Sequence, residues 1–119
     1  MGTPLHIAIK HGHIDAVRLL LDNGATTRLP LHTAVYYRYI NMVELLIDVG
    51  IDVNQRTLLN HTPLHYAAHG GYAVMVKLLI RAGADLNVID NLGNTPLSNA
   101  INAGHHYIVN LLEQHGATT

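Results

Sequence analysis

An all-α solenoid of helix-turn-helix units joined by hairpin-like loops is the fold class this sequence predicts, and three observations predict it. First, one short pattern occurs four times: Thr3-Pro4-Leu5-His6, Leu29-Pro30-Leu31-His32, Thr62-Pro63-Leu64-His65 and Thr95-Pro96-Leu97-Ser98. Second, each copy has the same sequel. A small residue stands four after the proline (Ala8, Ala34, Ala67, Ala100), a Val-x-x-Leu-Leu-like run follows, and a glycine stands twenty after the proline (Gly24, Gly50, Gly83, Gly116). Third, Pro30, Pro63 and Pro96 are 33 residues apart. A fixed period of this size marks stacked supersecondary units, none of which buries its apolar faces alone.

The third copy justifies the elements in order. Thr62 is placed to cap a helix whose first residue, Pro63, has no N–H to leave unsatisfied. Leu64, Ala67 and Ala68 recur at helical spacing as a narrow apolar face, and Gly71 suits a left-handed stop. A second helix carries Val74, Val76, Leu78, Leu79 and Ile80 and stops at Gly83. An extended stretch, Ala84-Asp85-Leu86-Asn87, then leads into an Asn91-Leu92-Gly93-Asn94 turn. The alanines let first helices approach closely, and the leucines of the second helices fill the space between units.

The T-P-L-H motif, the 33-residue period and about ten agreeing positions per copy resemble the ankyrin repeat family over essentially the whole chain. The resemblance implies a single ankyrin-repeat domain over 1–119, with repeats at roughly 1–27, 28–56, 57–89 and 90–119. It implies a protein–protein interaction module, of scaffold or adaptor type, that holds its partner on the concave face.

Three departures from the repeat are informative. Between Gly24 and Pro30 the loop is seven residues shorter than its counterparts, so the first projecting finger should be absent or very short. This is either a true deletion or the omission of a segment of the parent protein. Arg38 stands where the other repeats have Gly12, Gly71 and Gly104; an arginine in a left-handed cap costs roughly 1 kcal/mol against glycine, so either the turn changes shape or the side chain contributes something that offsets the cost. The last repeat is more polar, with Glu113 at the register of Leu21, Ile47 and Ile80, and Asn99, Asn102 and Asn110 besides. It reads as a C-terminal cap. Repeat one keeps Ile7, Ile9 and Ile14, so further repeats are expected before residue 1.

Composition narrows the function classes. With 7 basic and 8 acidic residues among 119, the chain has no general pull towards nucleic acid or anionic membrane. No apolar run approaches the roughly 20 residues of a spanning helix, Met1-Gly2 leads straight into the first repeat without a signal peptide, and His6 stands where a myristoylation motif wants Ser or Thr. Cysteine is absent, which suits a reducing, intracellular setting, cytoplasmic or nuclear.

The 10 histidines raise the question of a metal. His61, His65 and His69 are spaced by four, but His6, His32 and His65 fill the T-P-L-H slot, where the resemblance implies that the imidazole ties neighbouring loops together. His13 and His105 share a turn position with Tyr39 and Tyr72. No metal site and no cofactor are expected. No catalytic residue stands out either: there is no G-x-S-x-G elbow, phosphate loop or cysteine nucleophile, and the acidic residues are scattered, with Asp52 and Asp85 read as turn residues. The chain is read as a non-enzyme. Asn54 and Asn87, each in an Asp-hydrophobic-Asn step with Leu46 or Leu79 eight residues upstream, resemble ankyrin asparagines modified by a cytosolic asparaginyl hydroxylase. The alternative is that each asparagine stabilises its loop by bonding its own backbone.

The register places the exposed sites of the first helices three, six and seven after each proline. They are Ile7, Lys10 and His11; Thr33, Tyr36 and Tyr37; Tyr66, His69 and Gly70; Asn99, Asn102 and Ala103. Loop tips add Arg28, then Leu58, Leu59, Asn60 and His61, then Asn91, Leu92 and Asn94. From these the expected partner-binding residues are Lys10, His11, Arg28, Tyr36, Tyr37, Leu58, Leu59, His61, Tyr66, His69, Asn91, Leu92 and Asn94. Tyrosine and leucine form the centre, because aromatic side chains dominate binding hot spots. A protein partner and a monomeric state are expected, with no membrane insertion. The alternatives are a spacer segment of a longer repeat protein, or a nucleic-acid module, for which Lys10, Arg28, Arg38 and Arg56 supply only a short basic stripe.

Overall fold

A computed structural model describes residues 3–119. Met1 and Gly2, weighed above as a targeting or acylation segment, lie outside the described residues. Among the described residues eight helices follow in order: α1 Pro4–Lys10, α2 Ile14–Asp22, α3 Pro30–Tyr36, α4 Ile40–Asp48, α5 Pro63–Gly70, α6 Ala73–Arg81, α7 Pro96–Ala103 and α8 His106–Gln114. Among the described residues there is no strand, and no helix is long and apolar enough to cross a membrane. The chain divides into two compact units, Met1–Ile51 and Asp52–Thr119.

In Asp52–Thr119, α5 packs on α6 and on α7, α7 packs on α8, and α6 packs on α8. The close α5–α7 approach follows from small side chains: Ala67, Ala68 and Ala100 are fully buried beside Leu64 and Leu97. The second helices contribute the larger groups, Met75, Val76 and Leu79 from α6 and Ile108 and Leu112 from α8. Full burial of such a side chain contributes about 1.5–3 kcal/mol, so this core outweighs any single cap or loop bond. Met1–Ile51 repeats the plan, with α1 on α2 and α3, and α4 on α3 and α2, around Leu5, Ile9, Val17, Leu31, Val35, Met42, Val43 and Leu46.

The helix starts follow the repeated motif. Thr3, Thr62 and Thr95 are extended N-caps whose hydroxyls accept the N–H of His6 (3.1 Å), His65 (3.4 Å) and Ser98 (3.1 Å). Leu29 is the exception. It has φ 51 and no side-chain cap bond, because only five residues, 25–29, separate Gly24 from Pro30, against twelve, 84–95, between Gly83 and Pro96. Gly71 and Gly104 stop α5 and α7 at φ 78. Arg38 takes the same left-handed conformation, φ 61, so the turn keeps its shape in this repeat.

Candidate functional site

Two loops of Asp52–Thr119 are the same structure built twice, 33 residues apart, from partly different residues. In the later one Asp90 N–H donates to the Asn94 carbonyl (2.9 Å) and Gly93 N–H to the Asp90 carbonyl (3.0 Å). In the earlier one Thr57 N–H donates to the His61 carbonyl and Asn60 N–H to the Thr57 carbonyl, both 2.9 Å. Gly93 has φ 83 and Asn60 φ 63; asparagine is among the few other side chains that tolerate this region. Inside each loop one side chain collects two N–H groups. Asp90 Oδ1 accepts from Leu92 (2.9 Å) and Asn94 (2.8 Å), and Thr57 Oγ1 from Leu59 (3.2 Å) and His61 (3.1 Å).

The loops are also tied to each other. Asn91 N–H donates to the Leu59 carbonyl (3.0 Å), its Nδ2 to the Leu58 carbonyl (3.3 Å), and Asn60 Nδ2 to Asn91 Oδ1 (2.7 Å). His61 Nε2 meets Asp90 Oδ2 at 3.1 Å. This fastening holds the backbone but leaves the tip side chains in water: Leu58 is 85% exposed, Leu92 84% and Leu59 57%. Asn94 is differently placed. Its N–H and carbonyl both serve the loop interior, and it is half-buried.

Below the tips lie His61, His65 and Tyr66. The His61 ring is 5.7 Å from that of His65 and 5.9 Å from that of Tyr66, centroid to centroid. His65 is buried. Its Nδ1 accepts the Thr62 N–H (3.0 Å), so Nε2 carries the proton and donates to the Asn94 carbonyl (3.0 Å). That tautomer is neutral, and burial pushes the imidazole pKa below its ordinary value. For Asp90, burial acts to raise the pKa. The N–H bonds from Asn94 and Leu92 and the charge of His61 outweigh it, and the carboxyl sits below the usual range. Both nitrogens of His65 are engaged in bonds within the protein, and among the described residues no three His, Asp or Glu side chains gather as a metal-ligand group. His69 is exposed, and its carbonyl accepts from His105 Nε2 (3.0 Å).

At the loop bases the aspartates are turn residues, as read from the sequence, whereas the asparagines do not bond their own backbones. Asp52 and Asp85 are the residues that bond their own loops, accepting the N–H of Asn54 (2.8 Å) and Asn87 (3.0 Å). Residues 86–87 are therefore turned rather than extended. The asparagines reach across to the following loop instead: Asn54 Oδ1 accepts the Asp85 N–H and Asn87 Oδ1 the Thr118 N–H, both 2.8 Å and both 31 residues on. One carboxylate sets the turn, and one carboxamide carries it to the next.

In Met1–Ile51 three tyrosines form a group. Tyr36 is 65% exposed and meets Tyr37 edge-on at 5.1 Å. Tyr37 stacks on Tyr39 at 5.8 Å, and Tyr39 Oη donates to the Lys10 carbonyl at 2.9 Å. Lys10, His11 and Arg28 are exposed. Tyr39 in this unit and His105 in the other do one job: each bonds a carbonyl near the end of the preceding first helix and lies over a glycine, Gly12 or Gly71.

The loop anchors, buried Asp90 and half-buried Thr57, are the residues that sequence reasoning missed. The signal was available in Asp90-Asn91-Leu92-Gly93, an aspartate three before a turn glycine, and in the 33-residue step from Thr57 to Asp90. A family model described as ankyrin repeats, three copies, matches residues 1–57 and again residues 55–119. No curated protein matches the chain.

Proposed function

The chain belongs to the ankyrin repeat family, whose repeats generally serve as protein–protein interaction modules, and from that premise we propose that it holds a partner protein by its loop tips and by the exposed faces of its first helices. The observation that carries the reading is the pairing of locked backbone with exposed apolar side chains at Leu58, Leu59 and Leu92. A tip that is already ordered loses little conformational entropy on binding, so more of the apolar contact appears as affinity. Asn91 and His61 supply polar groups beside the leucines. In the other unit Tyr36 and Tyr37 offer aromatic area, with Lys10, His11 and Arg28 as polar surroundings. Tyr66 and His69 extend the leucine-bearing surface along α5, and Asn94 acts by holding the loop shape.

The experiment is affinity capture from lysate followed by binding measurement with the isolated partner. Leu58→Ala, Leu92→Ala and Tyr36→Ala should each weaken capture, because truncating a central anchor typically costs about 2 kcal/mol or more. Arg18→Ala and Lys77→Ala, on the second helices, should leave it unchanged. All variants should melt within a few degrees of the parent. Loss of capture in the second-helix variants with retention in the other three would sink the proposal.

A further inference from the structure

Each helix pair that has a preceding pair in its own unit is covered on one face. Within Met1–Ile51, α3 and α4 lie against α1 and α2; within Asp52–Thr119, α7 and α8 lie against α5 and α6. Fifteen residues after the proline, Leu45 is 5% exposed and Leu111 half-buried, whereas Leu19, at the same register of the first pair, is 63% exposed. Twelve after the proline, Met42 and Ile108 are buried and Ala16 is exposed. Pro30 and Pro96 are themselves buried, and Pro4 is exposed. The opposite face is left open on the last pair. Five after the proline, Ile9 and Ala68 are fully buried, each with a following pair against its helix, whereas Ile101 is 47% exposed. Thirteen after it, Val17 and Val76 are fully buried and Val109 only half-buried.

The chain thus carries both halves of its own inter-repeat contact in exposed form, one on α1–α2 and the other on α7–α8. Terminal repeats of a solenoid need a polar outer face to stay apart. Glu113 supplies part of one, exposed at the register of half-buried Leu21 and Ile80, but Ile101 on the same pair and Ala16 and Leu19 on the first pair do not. We propose that a second copy of this chain docks end to end, with α1–α2 of one copy stacked on α7–α8 of another as α3–α4 stack on α1–α2. Withdrawal of Leu19 and Ile101 from water drives the contact. It joins two different faces, so it is heterologous, and each docked pair of copies keeps one face of each kind for further growth. Glu113 keeps the association weak, and the chain is monomeric when dilute. The contact uses neither the leucine-bearing tips nor Tyr36, and does not rest on the reading given for them.

The test is sedimentation equilibrium of the full chain up to about 1 mM, a concentration that reveals even a weak contact. The expected result is an average mass that rises reversibly with concentration. Leu19→Glu and Ile101→Glu should each weaken association at least about tenfold, because each places a charge in the apolar contact. Each variant keeps the face that the other has lost. An equimolar mixture of the two should therefore associate again and stop at a dimer. Both positions are exposed, so circular dichroism should show the parent's melting transition; Leu19→Ser and Ile101→Ser replace any variant that loses it. A mass that stays monomeric at every concentration would overturn the proposal. So would association that survives both substitutions, loss in only one of the two variants, which would mean a face pairing with itself, or a mixture that fails to recover.

Discussion

Replacing Asp90 by alanine, and separately by threonine, probes the loop network through a comparison the chain itself supplies. The Asp90 side chain is 2% exposed and its carboxylate takes three contacts: the N–H of Leu92 at 2.9 Å, the N–H of Asn94 at 2.8 Å and His61 Nε2 at 3.1 Å. Hydrogen bonds to a charged group contribute about 1.5–3 kcal/mol each, and neutral ones about 1. The carboxylate's own desolvation offsets part of this, and water can reach the N–H of the exposed Leu92. Asp90→Ala should therefore destabilise the chain by about 2–4 kcal/mol. Asp90→Thr should recover the two N–H bonds, because Thr57 makes the equivalent pair at 3.2 and 3.1 Å. It should still lose His61, for a net cost of about 1–2 kcal/mol. Urea denaturation followed by far-UV circular dichroism at pH 7 measures both. Equal costs for alanine and threonine would refute the anchoring role, and an alanine cost below about 0.5 kcal/mol, the lower bound for one hydrogen bond, would refute the whole network.

Arg38→Gly should raise stability by roughly 1 kcal/mol, since φ 61 suits glycine; chemical denaturation that shows a loss would mean the arginine side chain more than offsets its strained backbone. Gly71→Ala should cost about 2 kcal/mol, because φ is 78 and the new Cβ would lie 2.7 Å from the His105 ring, displacing it from the His69 carbonyl; His105→Ala in the same background should then add little. Stability should fall with acid in two windows. The unfolded His65 takes up its proton at higher pH than the buried, folded one, so its contribution is complete above about pH 6.5 and declines as pH drops through the lower folded value. Asp90, with its folded pKa below the unfolded one, loses its contribution only below about pH 3.9. Denaturation midpoints between pH 7 and 5 should show a shallower slope in His65→Gln than in the parent, and identical slopes would exclude His65 as the source.

Periodicity alone determined the helices of this chain. A 33-residue step with proline at each start and glycine at each stop sets backbone conformation locally. Pro63 fixes its own φ, and Thr62 caps the next turn. The alanine and leucine positions then dictated which faces meet. These are short-range or repeated constraints, so they are written in sequence order. What only the tertiary structure decided lies between loops 29–36 residues apart. Asn54 and Asn87 could have bonded their own backbones or the next loop, and the choice depended on the following loop standing within 2.8 Å. Asp90 looked like one scattered acid among eight, yet it is the buried centre of two tied loops. His65 finds an acceptor for its Nε2 proton only once the Asn94 carbonyl is in place. A hydrogen bond needs its partner within about 3 Å and correctly oriented, and the identity of that partner is a property of stacking that no single repeat carries.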